Sequence, residues 1–385
     1  VTYTYTLDRA ALAQLVGRPS SGVVIATFSQ SGTGIAEAKP KGAKPKAMAK
    51  PKAEATAPAQ DPPTTNPFLV NWLISLQRLG IKDFVVFALD KRLHKWMTAH
   101  GLPSFLVDLT CGPAMRFFPV VAWRLLADVG LRFVWSDVDA MWMQNPIQTL
   151  LRNSPHSILF SQGGVSPVPL VDRWGHVVSN GFFYANPNNL TKEILWHVLA
   201  NLRDNFYMSP QDGMNIALAK MGVKWLRPKK YERMFSAGIL FKIYEEEVVG
   251  AFPNWTETIS VLPHAQFMHI VVKTESGNAT QDPYIVKVFY NRKFASPDKK
   301  IEAMRDKGMW YLMDDWQDRP YSGDPEAWLA SVSKDVKLQV HYAPRVLDVR
   351  CYNHPPRFPP DNTTHFFMQS EMSTSPNVTE YRWDT

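Results

Sequence analysis

The chain of 385 residues is 45% hydrophobic and 12% aromatic, enough for one large core or two ordinary ones. Its formal net charge of +7 resembles a nucleic-acid signal until it is located: six lysines stand between Lys39 and Lys52 with no acid among them, and no RNA-binding motif accompanies them. The remainder is close to neutral, so the lysines read as a solvated linker and no nucleic-acid partner is expected.

Residues 1–22 read as an N-terminal extension. Residues 23–30, VVIATFSQ, form a short apolar, β-branched run that predicts a buried strand. In a nucleotide-binding α/β domain the end of the first strand faces the ligand crevice, which makes Thr27 and Ser29 candidates for the nucleotide, or else ordinary strand-end polar residues. Residues 31–65 are rich in Ala, Lys and Pro and cannot bury enough apolar area to offset chain entropy, so a disordered insertion is expected there. Phe68, Leu69, Trp72, Leu73, Leu76 and Leu79 recur at helical spacing between Pro67 and Gly80. A strand at 83–89 follows, with Asp90 at its end, then a helix at 92–100, a strand at 104–108 and a helix at 116–129. This β-α-β-α alternation predicts a mostly parallel sheet with helices on both faces. Further on, 157–162 and 177–186 read as strands, and 190–204 and 211–221 as helices. The last 75 residues lack clear periodicity.

Residues 133–146 read FVWSDVDAMWMQNP. An apolar run ends there in two carboxylates two positions apart, Asp137 and Asp139. In a strand, positions i and i+2 face the same side. Hard oxygen ligands at the end of a buried strand suit Mg²⁺ or Mn²⁺, which in turn suit a diphosphate. A bare D-x-D arises often by chance and usually sits on a solvated turn. Its setting raises the signal: a strand before it, then Trp142, Asn145-Pro146 and a helix-like run from Ile147 to Leu151.

No run of 18 or more apolar residues is present, and no signal peptide opens the chain. Five N-x-[ST] sequons, at Asn189, Asn254, Asn278, Asn362 and Asn377, lean toward a secretory-pathway lumen. The two cysteines, Cys111 and Cys351, are too few for a disulfide scaffold. One long-range bridge and two unrelated buried thiols both remain open, and without paired Cys/His spacing zinc is not expected.

The stretch 133–146 resembles, nearly position for position, the D-x-D segment of the nucleotide-diphospho-sugar transferase family of plants and algae. That group includes arabinosyl- and xylosyltransferases of cell-wall glycans and glycoproteins. The resemblance extends to LVNWLISLQRLGIKDFVVFALD at 69–90, SNGFFYANP at 179–187, QDGMN at 211–215 and, more loosely, KKIEAMRDKGMW at 299–310. It implies a GT-A-like, Rossmann-type nucleotide-sugar-binding α/β domain over 23–310, interrupted by 31–65, with 311–385 as a C-terminal appendage. It further implies a UDP-sugar donor, Mn²⁺ or Mg²⁺, a glycan or glycoprotein acceptor, and residence in the Golgi or another secretory lumen. A type II membrane anchor, usual in such enzymes, is expected in the full-length protein.

Within that resemblance, Asp139 is expected to ligate the metal directly, and Asp137 to contact ribose or bind the metal through water. A third ligand is commonly a His; His269 in HIVVK is the candidate, with Lys273 near the phosphates. The family's H-N-N or H-A-N motif has no counterpart at its ungapped position near Phe289-Tyr290-Asn291, so an insertion at 274–288 displaces it or the ligand is absent. Lys300 and Trp310 match the closing segment and are candidates for the diphosphate, with Arg116 a further phosphate partner. Asn180 and Gly181 correspond to the turn beside the donor sugar, where glycine lets backbone approach a ligand. Gln211 and Asp212 match a D-Q-D-like stretch, with Pro210 where an Asp is usual; they face the anomeric carbon or cap a helix. Asp90 is a candidate to read the uracil or ribose.

These readings converge on a metal-dependent glycosyltransferase acting with retention on a pentose or galactose donor. A catalytically inactive sugar-binding or scaffold protein of the same fold is the alternative. A Mg²⁺-dependent phosphatase of the haloacid-dehalogenase type carries its triplet on the first strand, followed by Thr or Val, which this chain does not match.

Overall fold

A computed structural model describes residues 4–8, 21–30, 66–107, 114–163, 166–205, 208–236, 239–268, 283–287, 297–306, 308–316, 319, 331–333 and 378–382. The expected insertion at 31–65, both cysteines, His269 and Lys273 lie outside the described residues, as does the Arg116 side chain.

The alternation read from the sequence becomes half of a wide sheet. Strand β2 (Val24–Ser29) leads to α1 (Pro67–Arg78), β3 (Phe84–Ala88), α2 (Lys91–Ala99), β4 (Ser104–Leu106), α3 (Ala114–Asp128) and β5 (Phe133–Ser136). Helix α1 starts where Asn66 accepts from Phe68 N at 3.0 Å and Pro67 takes the first helical position. It stops at Gly80, whose φ of 65° suits glycine and whose N–H satisfies Gln77 O at 2.9 Å. Strands β3 and β4 step outward from β2, and α3 then returns the chain to pair β5 on the other side of β2. This reversal opens a crevice at the carboxyl ends of β2 and β5, where α/β sheets place ligands.

The second half adds β7 (Ile158–Gln162), α4 (Val168–Trp174), β8 (Val178–Ala185), α5 (Asn189–Asp204), α6 (Pro210–Lys220), β9 (Lys224–Leu226), β12 (Val248–Ala251) and β13 (Thr258–Val261). The nine strands lie in the order β4-β3-β2-β5-β8-β7-β13-β12-β9. Only β8 and β12 run against the rest, so seven of the nine share one direction. The expected mostly parallel α/β sheet is therefore observed. Smaller pairings flank it: β6 (Ala140–Trp142) with β15 (Ile285–Lys287) and β14 (Phe267–Met268), β10 (Glu232–Ser236) with β11 (Ile239–Ile243), and β1 (Thr4–Asp8) with β16 (Val378–Arg382).

Period-two alternation sorts side chains into two cores. Val24, Ala26, Phe133, Trp135 and Phe183 join α3, α5 and α6 on one face. Val23, Ile25, Val134, Phe182 and Tyr184 join α1 and α2 on the other. Phe182, Phe183 and Tyr184 are thus core residues. Past residue 310 the chain stays with the second core: Leu312, Trp316 and Val332 are buried there, and Asn71 of α1 donates to Met309 O and accepts from Tyr311 N and Leu312 N. No helix among the described residues is long and apolar enough to cross a membrane.

The β10–β11 hairpin docks where Gln162 accepts from Tyr244 N at 3.2 Å. Behind it His176 is fully buried between the rings of Trp225 and Tyr244, 5.0 and 5.4 Å away. Burial pulls its pKa down to about 4, against a weaker opposing bond to Trp174 O. Burial pulls His264 down to about 4 as well. Both folded-state values lie below the ordinary 6.5, so the unfolded chain binds more protons between pH 6.5 and 4. Stability should be level above pH 7 and fall through that window, by about 2 kcal/mol per histidine at pH 5. Urea midpoints at pH 7.5 and 5.0 for wild type, His176→Phe and His264→Phe test this. A pH slope unchanged in both variants rules these histidines out as its source.

Candidate active site

The D-x-D triplet does not lie on a strand. Strand β5 ends at Ser136: Asp137 N still reaches Gly181 O of β8 at 2.8 Å, in the register of the β5–β8 ladder, but Asp137 O turns away and accepts from Ala140 N at 2.9 Å. The i→i+3 bond closes a β-turn over Asp137–Ala140. Asp137 and Asp139 therefore share a side because the chain reverses, not because strand positions alternate.

Both ends of this turn are pinned to one hydroxyl. Ser136, fully buried, accepts from Trp72 Nε1 of α1 and from Trp142 Nε1 of β6, each at 3.1 Å. Beyond the turn, β6 pairs antiparallel with β15, in the register Trp142↔Ile285, Met141↔Val286 and Ala140↔Lys287. That register delivers Lys287 to the carboxylates. Its Nζ donates to Asp137 Oδ2 and lies 3.6 Å from Asp139 Oδ1. Lys300, from α7 (Pro297–Asp306), donates to Asp139 Oδ2. Burial favours the neutral form of Lys287, but Asp137 and Asp139 more than reverse this and hold its pKa above the usual lysine range.

Gly181 is required by close approach. A Cβ there would meet Lys287 Nζ, Lys287 Cδ at 3.0 Å and Asp137 Oδ2 at 3.1 Å. Beside it, Asn180 is 8% exposed and its side-chain amide has no hydrogen-bond partner among the described residues. Thr27 Oγ1, at 1% exposure, is equally unpartnered there. The register Ala26↔Trp135 puts Thr27 level with Ser136, two residues before the end of β2.

The sequence of this region also matches known proteins. Residues 120–304 match the nucleotide-diphospho-sugar transferase family. The chain is 22% identical over 266 residues to the beta-arabinofuranosyltransferase RAY1 of Arabidopsis thaliana, a match over 63% of this chain and 45% of that protein. It thus spans less than half the length of that curated relative. Among solved structures, the galactosyltransferase LgtC with donor and acceptor sugar analogs superposes with a TM-score of 0.37 at 7% identity, over 76% of this chain and 99% of that one. The mannose-1-phosphate geranyltransferase of Thermus thermophilus gives 0.27 at 11% identity, over 50% and 67%. Superpositions this loose carry no weight for site or substrate.

The remaining candidates lie at helix ends and in the core beside the sheet. Ser209 caps α6, so Gln211 and Asp212 lie within its first turn. The Asp212 carboxylate accepts from Ser166 Oγ and Ser209 Oγ, both at 2.8 Å, and Gln211 Nε2 donates to Ser166 O at 3.2 Å. One turn on, Asn215 grips both backbone groups of Val178, at 2.8 and 3.0 Å. Val178 and Gly181 are three residues apart on β8, on the order of 10 Å. Asp90 caps α2 through Leu93 N at 2.8 Å. Ser29 accepts from Asn66 at 3.3 Å. Trp310 packs edge-on to Phe68, 5.6 Å between centroids, and Lys300 Nζ lies 5.7 Å from the same ring.

Sequence reasoning missed Lys287 and Ser136. The signal for Lys287 was YIVK at 284–287, a β-branched run ending in lysine like the HIVVK of Lys273. Among the described residues no three His, Cys, Asp or Glu side chains gather as a metal site. The two carboxylates nonetheless converge on one small cation, the Lys287 ammonium. Mg²⁺-type ions are commonly held by one or two carboxylates, with substrate phosphates and water completing the shell, so the pair fits such an ion.

Replacing Ser136 with Ala leaves two buried indole N–H groups without their acceptor. The expected loss of unfolding free energy is about 2–4 kcal/mol, read from urea denaturation. A loss under about 0.5 kcal/mol would mean that the indoles find other partners.

Proposed function

We propose that this chain is a metal-dependent glycosyltransferase moving a sugar from a UDP-sugar to a cell-wall glycan or glycoprotein acceptor, with retention. The observation that carries the reading is the pair of carboxylates converging on one cation at the sheet's crevice, within residues of the transferase family. The arabinofuranosyltransferase relative supports a pentose donor. The five sequons, with Asn189 and Asn254 exposed, support a secretory lumen such as the Golgi.

In this reading Asp139 ligates the divalent ion, and Asp137 binds it through water or contacts ribose. Bound there, the ion supplies the positive charge that the leaving diphosphate needs. Lys300 reaches the same diphosphate from α7. Thr27 Oγ1 is offered to the nucleotide. The unpartnered Asn180 amide and the bare Gly181 backbone orient the donor sugar. Asp212 and Gln211, at the far end of β8, face the anomeric carbon and stabilise the positive charge that develops there. The acceptor hydroxyl loses its proton as the new bond forms.

Nucleotide release from a panel of UDP-sugars with Mn²⁺ tests the reading. Release from one donor, abolished by chelator and lowered at least about 100-fold in Asp139→Ala, is the expected result. A folded protein that binds UDP yet releases nothing, with or without acceptors, would instead be an inactive sugar-binding protein.

A further inference from the structure

We infer that Lys287 is a resident counter-ion which a divalent cation must displace, so that the site takes up its metal only together with a diphosphate. The inference rests on the metal-dependent reading above and assigns a role to a residue outside the matched motifs.

The argument begins with position. The Lys287 ammonium does not sit beside the carboxylate pair; it donates to Asp137 and faces Asp139 at 3.6 Å, bridging both. A divalent ion ligated by Asp139 and reaching Asp137 through water would occupy that bridge, so metal and ammonium compete for one place. Lys300 pairs with Asp139 Oδ2 and, among the described residues, not with Asp137, so it flanks the bridge rather than filling it. The ammonium is also well seated. The β6–β15 register fixes the Lys287 backbone opposite Ala140, and only the absence of a side chain at Gly181 leaves room for its Nζ and Cδ.

Charge gives the direction. Two carboxylates and two lysines sum to zero, in a pocket where the Lys287 and Asp139 side chains are 15% and 18% exposed. A divalent ion entering alone must break a charge-assisted hydrogen bond and leaves the pocket with two unbalanced positive charges. A nucleotide-sugar entering alone brings two negative charges to a pocket already neutral. Entering together, ion and diphosphate restore neutrality. The displaced ammonium, on its flexible stem, then has phosphate oxygens to pair with. Binding of the two is therefore positively coupled, and by linkage each should tighten the other by the same factor.

Mn²⁺ binding, followed by electron paramagnetic resonance with and without UDP, tests this on the whole chain. Wild type should bind Mn²⁺ weakly alone and at least about tenfold more tightly with saturating UDP. Lys287→Met should bind Mn²⁺ alone at least about tenfold more tightly than wild type, with the gain from UDP correspondingly reduced. Lys287→Arg, which keeps the charge, should stay near wild type. If Lys287→Met fails to fold, Gly181→Ala replaces it: the added methyl pushes the lysine tip away and should tighten Mn²⁺ in the same direction. Equal Mn²⁺ affinity in wild type, Lys287→Met and Gly181→Ala overturns the displacement while leaving a metal-dependent site intact. Absence of Mn²⁺ binding in every protein, even with UDP bound, overturns the metal-dependent reading itself and this inference with it.

Discussion

Two carboxylates cannot share a half-buried turn without counter-charge, and much of the local architecture answers that demand. Desolvated anions are costly unless paired and hydrogen-bonded. The chain brings two lysines to them from far along the sequence; Lys287 and Asp137 are 150 positions apart. One lysine comes on a strand that pairs with the segment just after the turn, the other on a helix over the same face. Lys287 is delivered by the pairing of β6 with β15, which stands apart from the nine-stranded sheet.

The turn must also hold still. A surface turn carrying two acids is ordinarily mobile, but this one is anchored below by a serine serving two tryptophans, and alongside by the bond from Asp137 to β8. The tryptophans come from α1 and β6, so helix, strand and turn share one buried hydroxyl. This explains why such bulky residues stand at these positions: each combines a large apolar surface with a single N–H that has a destination.

How much of this could be read from the chain follows from sequence distance. The β2-to-β5 half was legible because each strand and helix carries its own period, and neighbours in sequence are neighbours in space. Asp137, Asp139 and Gly181 were legible as a local pattern. The turn was misread as strand because an apolar run does not announce where the ladder ends; the Asp137 N–H still follows the β8 register, and only its carbonyl, bonded to Ala140 N, turns the chain. Lys287 stayed hidden because three residues of β15 carry too short a pattern, and because its partner β6 is equally short. Gln211 and Asp212 were placed at the right helix end, but the cap itself is Ser209.

Strand β8 runs against its neighbours, and that reversal has a consequence for how the crevice can evolve. Gly181, midway along the strand, bonds the acidic turn, and Val178, at its start, is held by Asn215 of α6. The segment Val178–Gly181 is therefore a ruler between the acidic turn and the start of α6. A ruler made of β-strand has coarse graduations: one inserted residue exchanges the two faces, and only steps of two, about 6.6 Å, preserve them. Between such steps the reach of the site cannot be retuned by lengthening the strand. On the proposed reading, adaptation to donors of different bulk falls instead to side chains outside the sheet such as Ser166 and Asp212.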